Sequence, residues 1–216
     1  MKKERTTKRK TFIPAARFHI LTSLYDLGCS VVGLGKRYRQ EVINYLPLSN
    51  QPLRILDTGC GPGRMTREIK KKYPEVQISG IDADPSILSI AKRKAKREGL
   101  SIDYQQAFIQ QLPFPTGTFD VVYSSLVVHH LPTKIKIKAM KEIKRVLKTG
   151  GIFLLADFGK PQQTWFSPFS WFTVLFEEGR DNYLGKIPEM IKQAGFREIQ
   201  KVGEYRYNVH FLIGKK

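Results

Sequence analysis

Two short stretches carry residue types that could bind a nucleotide. Residues 55–63, Ile-Leu-Asp-Thr-Gly-Cys-Gly-Pro-Gly, read as a buried strand that ends in the carboxylate Asp57 and breaks into a glycine turn. An amphipathic helix follows at once, and a strand, a glycine turn and a helix N-terminus together form a nucleotide-shaped socket. The second stretch ends at Asp82, 23 residues after Gly59, where a carboxylate could accept both ribose hydroxyls of an adenosine cofactor.

The glycine turn departs from the dinucleotide fingerprint. That fingerprint requires glycine at the sixth position of G-x-G-x-x-G, and this chain has Arg64 there. A nicotinamide oxidoreductase is therefore disfavoured, and the rest of the chain must indicate which nucleotide binds.

The elements that would position these residues alternate between strand and helix. Strands are predicted near residues 53–57, 76–82, 102–106, 119–124 and 152–157, and helices over 64–72, 85–98 and 133–147. Repeated βα units imply a parallel sheet covered by helices on both faces. Thr149–Gly151 is predicted to turn into the fifth strand. A helix over 185–194 is followed by strands near 198–202 and 205–213, and the short turn predicted at Gly203-Glu204 permits only antiparallel pairing.

The regions outside this alternation differ in composition. Residues 1–11 are predicted to be a basic, disordered tail, and residues 12–216 a single domain. Within that domain, residues 12–46 look helical and apolar, with glycine breaks. Residues 158–184 form an insertion whose first part, Phe158–Phe176, holds seven aromatic residues in nineteen.

Charge and cysteine content limit the classes of partner and compartment. The net charge is +18, and +13 remains without the first ten residues, so the excess is spread over the folded part. Such a field attracts phosphates, nucleic acid or an anionic membrane, although Lys-rich helices can also be merely solubilising. Cys29 and Cys60 show no metal spacing and read as reduced thiols. No apolar run approaches the ~20 residues of a membrane span, so a cytoplasmic protein without a metal is expected.

With these residues in place, the chain resembles the class I S-adenosylmethionine-dependent methyltransferases, most closely the branch of ubiquinone- and menaquinone-biosynthesis methyltransferases. The resemblance is strong over about residues 50–160. Its motifs occur in the family's order: Ile55–Gly63, Gly80–Asp82, Leu112–Pro115, Phe119–Val122, His129–Pro132 and Val146–Gly151. The implied fold is α/β and Rossmann-like: a seven-stranded, mostly parallel sheet with an antiparallel C-terminal strand, helices on both faces and an N-terminal helical lid over residues 12–46.

The resemblance also implies S-adenosylmethionine as the cofactor and a role for each motif. The glycine turn would cradle the methionine part, with Asp57 near its ammonium group. Asp82 would bind the ribose, Ala83 would lie against the adenine, and the backbone after the third strand would meet the adenine edge. The residues implied to bind the cofactor are Asp57, Thr58, Gly59, Cys60, Gly61, Pro62, Asp82, Ala83, Phe108, Ile109, Ser124 and Ser125. One departs from the family pattern: Phe108 stands where a short Asp or Asn usually bonds the adenine amino group.

Methyl transfer from a sulfonium mostly needs alignment and desolvation, and it needs a base only when the acceptor must lose a proton. His129, after the fourth strand, and Tyr25, in the lid segment, are the candidate catalytic residues. His130, Asp26 and Glu178 are weaker candidates. A pair of packed loop histidines and a core tyrosine are the alternative interpretations.

The aromatic insertion and the basic exterior favour a small, lipid-like or isoprenoid acceptor and peripheral contact with an anionic membrane. A lid helix or a dimer interface would explain the aromatic residues equally well, so a monomer and a homodimer both stay open. Two other functions stay open: an RNA or protein methyltransferase, and a non-catalytic cofactor-binding module. Against the first, Tyr123–Leu126 replaces the Asn/Asp-Pro-Pro-Tyr motif of many base- and amino-methylating enzymes.

Overall fold

The computed structural model describes residues 34–48, 51–161 and 177–216. The basic tail, most of the predicted lid with Tyr25 and Asp26, and the aromatic stretch 162–176 lie outside the described residues. In chain order the elements are α1 Lys36–Tyr45, β1 Arg54–Thr58, α2 Arg64–Lys72, β2 Gln77–Asp82, α3 Pro85–Arg97, β3 Asp103–Gln106, β4 Phe119–Ser125, α4 Thr133–Val146, β5 Leu147–Phe158, α5 Arg180–Tyr183, α6 Ile187–Gln193, β6 Arg197–Tyr205 and β7 Val209–Lys215. Single 3-10 turns occur at Val128–His130, Glu177–Gly179 and Arg206–Asn208.

One seven-stranded sheet organises the described residues, in the order β3-β2-β1-β4-β5-β7-β6. β1 to β5 pair in parallel, and β7 runs antiparallel to both β5 and β6. The predicted sheet is confirmed. The chain moves outward from β1 to β3 and then returns to place β4 on the other side of β1, so the carboxyl ends of β1 and β4 border the crevice where α/β sheets bind ligands.

Helices pack on the sheet through apolar clusters on its two faces. One cluster centres on Leu56, Val122, Phe153, Met140 and Ile143, and it joins β1, β4 and β5 to α4 and α6. The other joins the opposite face of the sheet to α1 and α2; its central members are Ile43, Ile55, Ile69, Leu154 and Phe211. The helices thus cover both faces, as predicted, and leave the carboxyl ends of the strands for the site.

Helix ends follow the capping signals of the sequence. α3 begins at Pro85 after Asp84, whose Oδ1 accepts the Ser86 N–H at 2.8 Å. Proline at the first helical position needs no hydrogen-bond partner, and Asp is a favoured N-cap. Gly63, in a left-handed conformation with φ of 70°, precedes α2. Both helices therefore begin where the short loops that leave β1 and β2 end, beside the site.

Two predicted turns are wrong. Gly203-Glu204 lies within β6, and the chain reverses at Arg206–Asn208 instead. A Cβ on Gly203 would overlap the Tyr45 ring, so this glycine serves close packing and not a turn. Thr149–Gly151 lies inside β5, which starts at Leu147; the pairing with β4 shifts register there, and Gly150 has a φ of 75°. The segment is a bulge within the strand.

The predicted helix over 185–194 is present as α6, and a short helix that was not predicted, α5, precedes it. Gly185, at a φ of 70°, lies between the two helices. In α4 one charged residue is among the buried ones: Lys136 is fully buried, together with Ala139, Met140, Ile143 and Val146. None of the described helices is both long and apolar enough to cross a bilayer.

Candidate functional site

The glycine turn ties the ends of β1 and β2 together. The backbone N–H groups of Gly59 and Cys60 both donate to the Ile81 carbonyl, each at 2.8 Å. The Gly61 N–H donates to Oδ2 of Asp82 at 3.0 Å. The two sequence motifs, 23 residues apart, are therefore one structural unit at the crevice.

The three glycines of the turn have different surroundings. A Cβ on Gly59 would overlap Val127, and one on Gly63 would overlap the Tyr104 hydroxyl. Gly61 has a φ of 52°, and a Cβ there would meet no atom of the described residues within 4 Å. Gly59 and Gly63 are required by packing, whereas Gly61 borders open space that a ligand could fill.

The neighbouring turn residues support this shape. Cys60 is buried, and burial, with Asp57 and Asp82 nearby, raises the pKa of its thiol well above the usual range, so it is a neutral thiol. The carbonyls of Pro62 and Gly63 accept hydrogen bonds from the Arg67 guanidinium at 2.8 and 3.0 Å. Arg67 is held in turn by Glu98, with Nε 3.0 Å from the carboxylate.

Asp57 is a buried carboxylate at the centre of the site. It lies directly across from Tyr123 on β4, whose hydroxyl donates to Oδ2 of Asp57 at 2.7 Å. Burial raises the pKa of Asp57 to about 7; the Tyr123 hydrogen bond opposes the rise and nearby Asp82 adds to it. Within the described part of the chain, no cation pairs with Asp57. A positively charged ligand would stabilise its ionised form.

Asp82 is half-buried at the end of β2. Its two oxygens accept the N–H groups of Gly61 and Asp84, each at 3.0 Å. Burial raises its pKa, although these hydrogen bonds act in the opposite direction. Each oxygen keeps a second lone pair that a ligand hydroxyl could use. Ala83 follows in the loop, where its carbonyl accepts from the Gln106 amide at 3.1 Å.

The hydroxyl groups at the ends of β1 and β4 form hydrogen bonds inside the protein. The Thr58 hydroxyl donates to the Tyr123 carbonyl at 3.0 Å, and the Ser124 hydroxyl donates to the Thr58 carbonyl at 3.4 Å. Thr58 and Ser124 are fully buried. Ser125, the last residue of β4, has its Oγ 2.7 Å from the Tyr38 hydroxyl of α1.

The loop after β3 presents one aromatic ring and buries its neighbour. Phe108 is 40% exposed, while Ile109 belongs to the core beneath it. The backbone turns back on itself there, with the Gln111 N–H donating to the Phe108 carbonyl at 2.9 Å. Phe108 could stack on a flat ligand, although it offers no polar group at that place.

His129 is joined to a partner that sequence reasoning missed. Its Nδ1 lies 2.7 Å from Oδ1 of Asp157, the residue just before the end of β5. Oδ2 of Asp157 accepts the N–H groups of the 3-10 turn at Val127, Val128 and His129, at 2.7–3.3 Å. Burial would raise the pKa of Asp157, but the His129 ring and the Phe158 N–H hold it below its usual value.

This arrangement gives His129 a defined chemistry. A carboxylate on Nδ1 favours the tautomer with hydrogen on Nδ1, which leaves Nε2 as a proton acceptor. The His129 side chain is 12% exposed, and its ring lies edge-on to Phe158. His130 is exposed, with its ring centroid 3.9 Å from that of His129. His129 is therefore oriented as a base would be, whereas His130 has no such partner among the described residues.

Sequence reasoning also missed two arginines that hold loops in place. Arg67 holds the glycine turn, as described above. Arg145 donates to the carbonyls of Leu112 and Phe114 at 2.9 and 2.8 Å and pairs with Glu142, which in turn accepts the Leu112 N–H. Both arginines bond backbone carbonyls of distant loops, and a helix sequence carries no signal of such contacts.

The remaining sequence candidates lie elsewhere or outside the described residues. The Glu178 carbonyl accepts from Lys136, so this residue contributes backbone to the support of α4. Tyr25 is outside the described residues and its role stays a prediction. In the described ranges, no group of three or more His, Cys, Asp or Glu side chains could hold a metal ion.

Comparison with known proteins adds to this geometry. A family profile described as "Methyltransferase domain" matches residues 55–151. The demethylmenaquinone methyltransferase of Thermus thermophilus is 33% identical over 147 residues, which are 68% of this chain and 63% of that protein. The uncharacterized methyltransferase sll0829 of Synechocystis sp. is 31% identical over 169 residues, 75% of this chain and 77% of that protein. The chain spans less than two thirds of the length of the demethylmenaquinone methyltransferases that it matches.

A solved structure shares the architecture. Phosphoethanolamine N-methyltransferase 2 of Haemonchus contortus, in complex with S-adenosyl-L-methionine, aligns with a TM-score of 0.64 at 24% identity, over 78% of this chain and 39% of that chain. At this identity the likeness concerns the fold.

Proposed function

Because the chain belongs to the class I S-adenosylmethionine-dependent methyltransferases, we propose that it transfers a methyl group from S-adenosylmethionine to a small-molecule acceptor. The cofactor supplies an activated methyl group on a sulfonium, so the protein's work is binding, alignment and, for some acceptors, proton removal.

The observation that carries the proposal is a pair of carboxylates beside an open glycine. Asp57 and Asp82 are both raised in pKa by burial, and no described cation pairs with either. S-adenosylmethionine brings a sulfonium and an ammonium group, so its binding would relieve an electrostatic cost that the protein otherwise carries. Gly61 follows Asp57 in the glycine turn, and its N–H bonds Asp82. The open space beside Gly61 would therefore admit the ligand close to the backbone and to both carboxylates.

The proposed binding roles follow the chemistry of each group. Asp57 would hold the ammonium, and Asp82 the ribose hydroxyls. Thr58, Gly59, Cys60 and Pro62 would shape the turn around Gly61, and Ser124 would contribute through the backbone at the end of β4, since its hydroxyl is used inside the sheet. Ala83, Phe108, Ile109 and Ser125 would border the adenine and methionine ends of the cofactor.

His129 is the proposed base for an acceptor that loses a proton. Asp157 would orient it and stabilise the imidazolium formed when Nε2 takes the proton. These two roles are supported by the 2.7 Å contact between Nδ1 of His129 and Oδ1 of Asp157. They are also supported by the burial of the Asp157 side chain, which keeps water from competing for the carboxylate.

For the acceptor we propose a quinone-like or other lipid-like molecule. Relatives at about 30% identity include enzymes named for demethylmenaquinone and for ubiquinone/menaquinone C-methylation. The aromatic composition of residues 158–176 supports an apolar acceptor, and the net charge of +18 supports contact with an anionic surface.

Calorimetric titration of the full chain with S-adenosylhomocysteine tests the cofactor half of the proposal. We expect binding, and we expect Asp82→Asn to weaken it at least tenfold. Asp103→Asn, which removes one exposed carboxylate from β3, should leave it unchanged. Tighter binding of NADH would overturn the proposal.

Transfer of the label from methyl-labelled S-adenosylmethionine tests the proposed methyl transfer and its acceptor. We expect methyl transfer into a lipid-extract pool that contains demethylated quinones. Transfer only into RNA or protein would replace the small-molecule acceptor. Cofactor binding without transfer to any pool would favour a non-catalytic binding module.

A further inference from the structure

An open surface cavity, whose basic residues are exposed, lies away from the carboxylates of the cofactor site. It has a volume of about 360 Å³ and is lined by Lys36, Arg37, Gln40, Glu41, Tyr205 and Arg206. Its walls come from two elements distant in sequence, the start of α1 and the end of β6. A volume above about 300 Å³ is in the range of small-ligand sites.

The cations of this cavity have no charged partner among the described residues. Lys36, Arg37 and Arg206 form no ion pair or side-chain hydrogen bond with any residue in the described ranges. Arg39, in the same helix, does have a charged partner, because its guanidinium bonds the Glu68 carboxylate at 2.8–2.9 Å. Glu41 is the one carboxylate among the described lining residues, which together carry a formal charge of about +2.

The start of α1 increases this positive potential. Its first turn contains no acidic residue, and its N-cap, Gly35, provides no side-chain oxygen. A helix N-terminus carries a partial positive charge, which repels cations and attracts anions. Placing Lys36 and Arg37 there is unfavourable for the empty protein and favourable for a bound anion.

The opposite wall is built on a constrained turn. Arg206 is followed by Tyr207 and Asn208, which have φ values of 61° and 57°. The left-handed conformation is unfavourable for residues other than glycine, so this turn is held by its surroundings. These two residues bring the chain round so sharply that Arg206, at the tip of the β6-β7 hairpin, faces the start of α1 across the cavity.

The cavity lies at the same edge of the sheet as the cofactor site. β5 and β6 are both antiparallel to β7, so Tyr205 is at the edge where β4 and β5 end. The Tyr205 ring packs on Tyr38 with centroids 5.5 Å apart, and the Tyr38 hydroxyl contacts Ser125 at the end of β4. Two aromatic rings therefore separate the cavity from the end of β4.

From these observations we infer that this cavity binds a phosphate group. Two guanidinium groups offer paired N–H donors that match phosphate oxygens, and a lysine adds a point charge. A phosphate monoester carries about −1.5 to −2 charges near neutral pH, which complements the charge of the lining. The phosphate could belong to a soluble phosphorylated molecule or to the headgroup of a phospholipid, and both present the same chemistry to these side chains.

The test uses two probes and two triple variants of the full chain. Glycerol 1-phosphate, titrated calorimetrically at low salt, represents the soluble source. Vesicles of phosphatidylcholine with phosphatidylglycerol, in a sedimentation assay, represent the lipid source. Lys36→Gln/Arg37→Gln/Arg206→Gln removes the cations of the cavity. Lys92→Gln/Arg93→Gln/Lys96→Gln removes three exposed cations from α3 and is the matched control, because both variants lose the same charge.

We expect one probe to bind, the cavity variant to weaken its binding at least tenfold, and the control to change it less than threefold. Binding of glycerol 1-phosphate assigns the soluble source, and binding to vesicles alone assigns the headgroup. Equal loss in both variants, or no binding of either probe to the unaltered chain, would overturn the inference. Titration of the same samples with S-adenosylhomocysteine reports separately on folding and on the proposed function, so the two proposals can fail independently.

Discussion

Nδ1 of His129 and Oδ1 of Asp157 lie 2.7 Å apart although 28 residues separate them in the chain. The carboxylate also accepts three backbone N–H groups of the turn that carries His129. Asp157 thus fixes both the position of the turn and the tautomer of the ring, and it joins the ends of β4 and β5 at the crevice.

Asp157→Asn is expected to lower turnover by about 10²- to 10⁴-fold, the usual contribution of a positioned base. An amide still accepts one hydrogen bond but does not stabilise the imidazolium. Turnover with the acceptor found by label transfer, together with the ¹⁵N shifts of the His129 ring, measures the effect. Asp181→Asn is the control, because Asp181 is a second buried carboxylate, bonded to Thr133. Loss of stability in both variants with turnover retained in Asp157→Asn would assign Asp157 a purely structural role.

Affinity for S-adenosylhomocysteine should rise between pH 6 and pH 8. The pKa of Asp57 is about 7 in the protein without ligand. A ligand ammonium favours the ionised carboxylate, so binding must lower that pKa and release protons, and affinity grows as Asp57 ionises. Titrations in buffers of different ionisation enthalpy measure the released protons. Asp57→Asn should abolish the release; an unchanged release in this variant would assign it to another group.

The same group has the opposite effect on the stability of the ligand-free protein. Its pKa is raised from 3.8 to about 7 on folding, so the native state holds the proton more tightly than the unfolded state. The contribution of Asp57 to the free energy of unfolding is fully present below pH 3.8 and is lost as pH rises through 7. At about 1.4 kcal/mol per pKa unit, the loss amounts to a few kcal/mol. Asp57→Asn should therefore raise the free energy of unfolding at pH 8 while it weakens cofactor binding. Urea unfolding at pH 5 and pH 8 checks this; equal effects at the two values would contradict the assignment.

Gly61→Ala should separate binding from folding. Both Gly61 and Gly99 have positive φ, 52° and 66°, and a Cβ at either meets nothing within 4 Å. Each alanine variant should lose about 1–2 kcal/mol of stability from backbone strain. Only Gly61→Ala should weaken S-adenosylhomocysteine binding, by tenfold or more, since its methyl group would occupy the space proposed for the ligand. Equal affinities of the two variants would argue against a ligand at this glycine.

Much of the fold could be predicted because its signals are local. Alternation of strand and helix, the Asp84-Pro85 helix start and the glycine turn all depend on neighbouring residues, and α2 has the bounds that were predicted for it. The turn at Gly203 was wrong for an instructive reason. Glycine is common in turns, but here it makes room for Tyr45 of α1, a contact between distant parts of the chain.

The support of the site could not be predicted, because it depends on long-range contacts. Asp157 was visible in the sequence as the end of a strand, but its partner 28 residues away was not. Lys136 belongs to a Lys-rich helix, yet it is buried with the Glu178 carbonyl and Asp181, whose Oδ2 is 3.6 Å away. Burial lowers its pKa while Asp181 and Asp157 oppose the change. A helical pattern cannot reveal such compensation, since it comes from residues outside the helix, after its last residue Val146.

The strand order also has a consequence for association through the edges of the sheet. The edges of the sheet are β3 and β6, where backbone groups could pair with another molecule. β3 has only four residues, and β6 pairs with β7 through two register shifts and is mostly exposed, with Arg197 and Lys201 along it. A short edge and an irregular, cationic edge both resist strand addition. These two edges therefore disfavour edge-to-edge aggregation through the hydrogen-bonded ladder of the described strands.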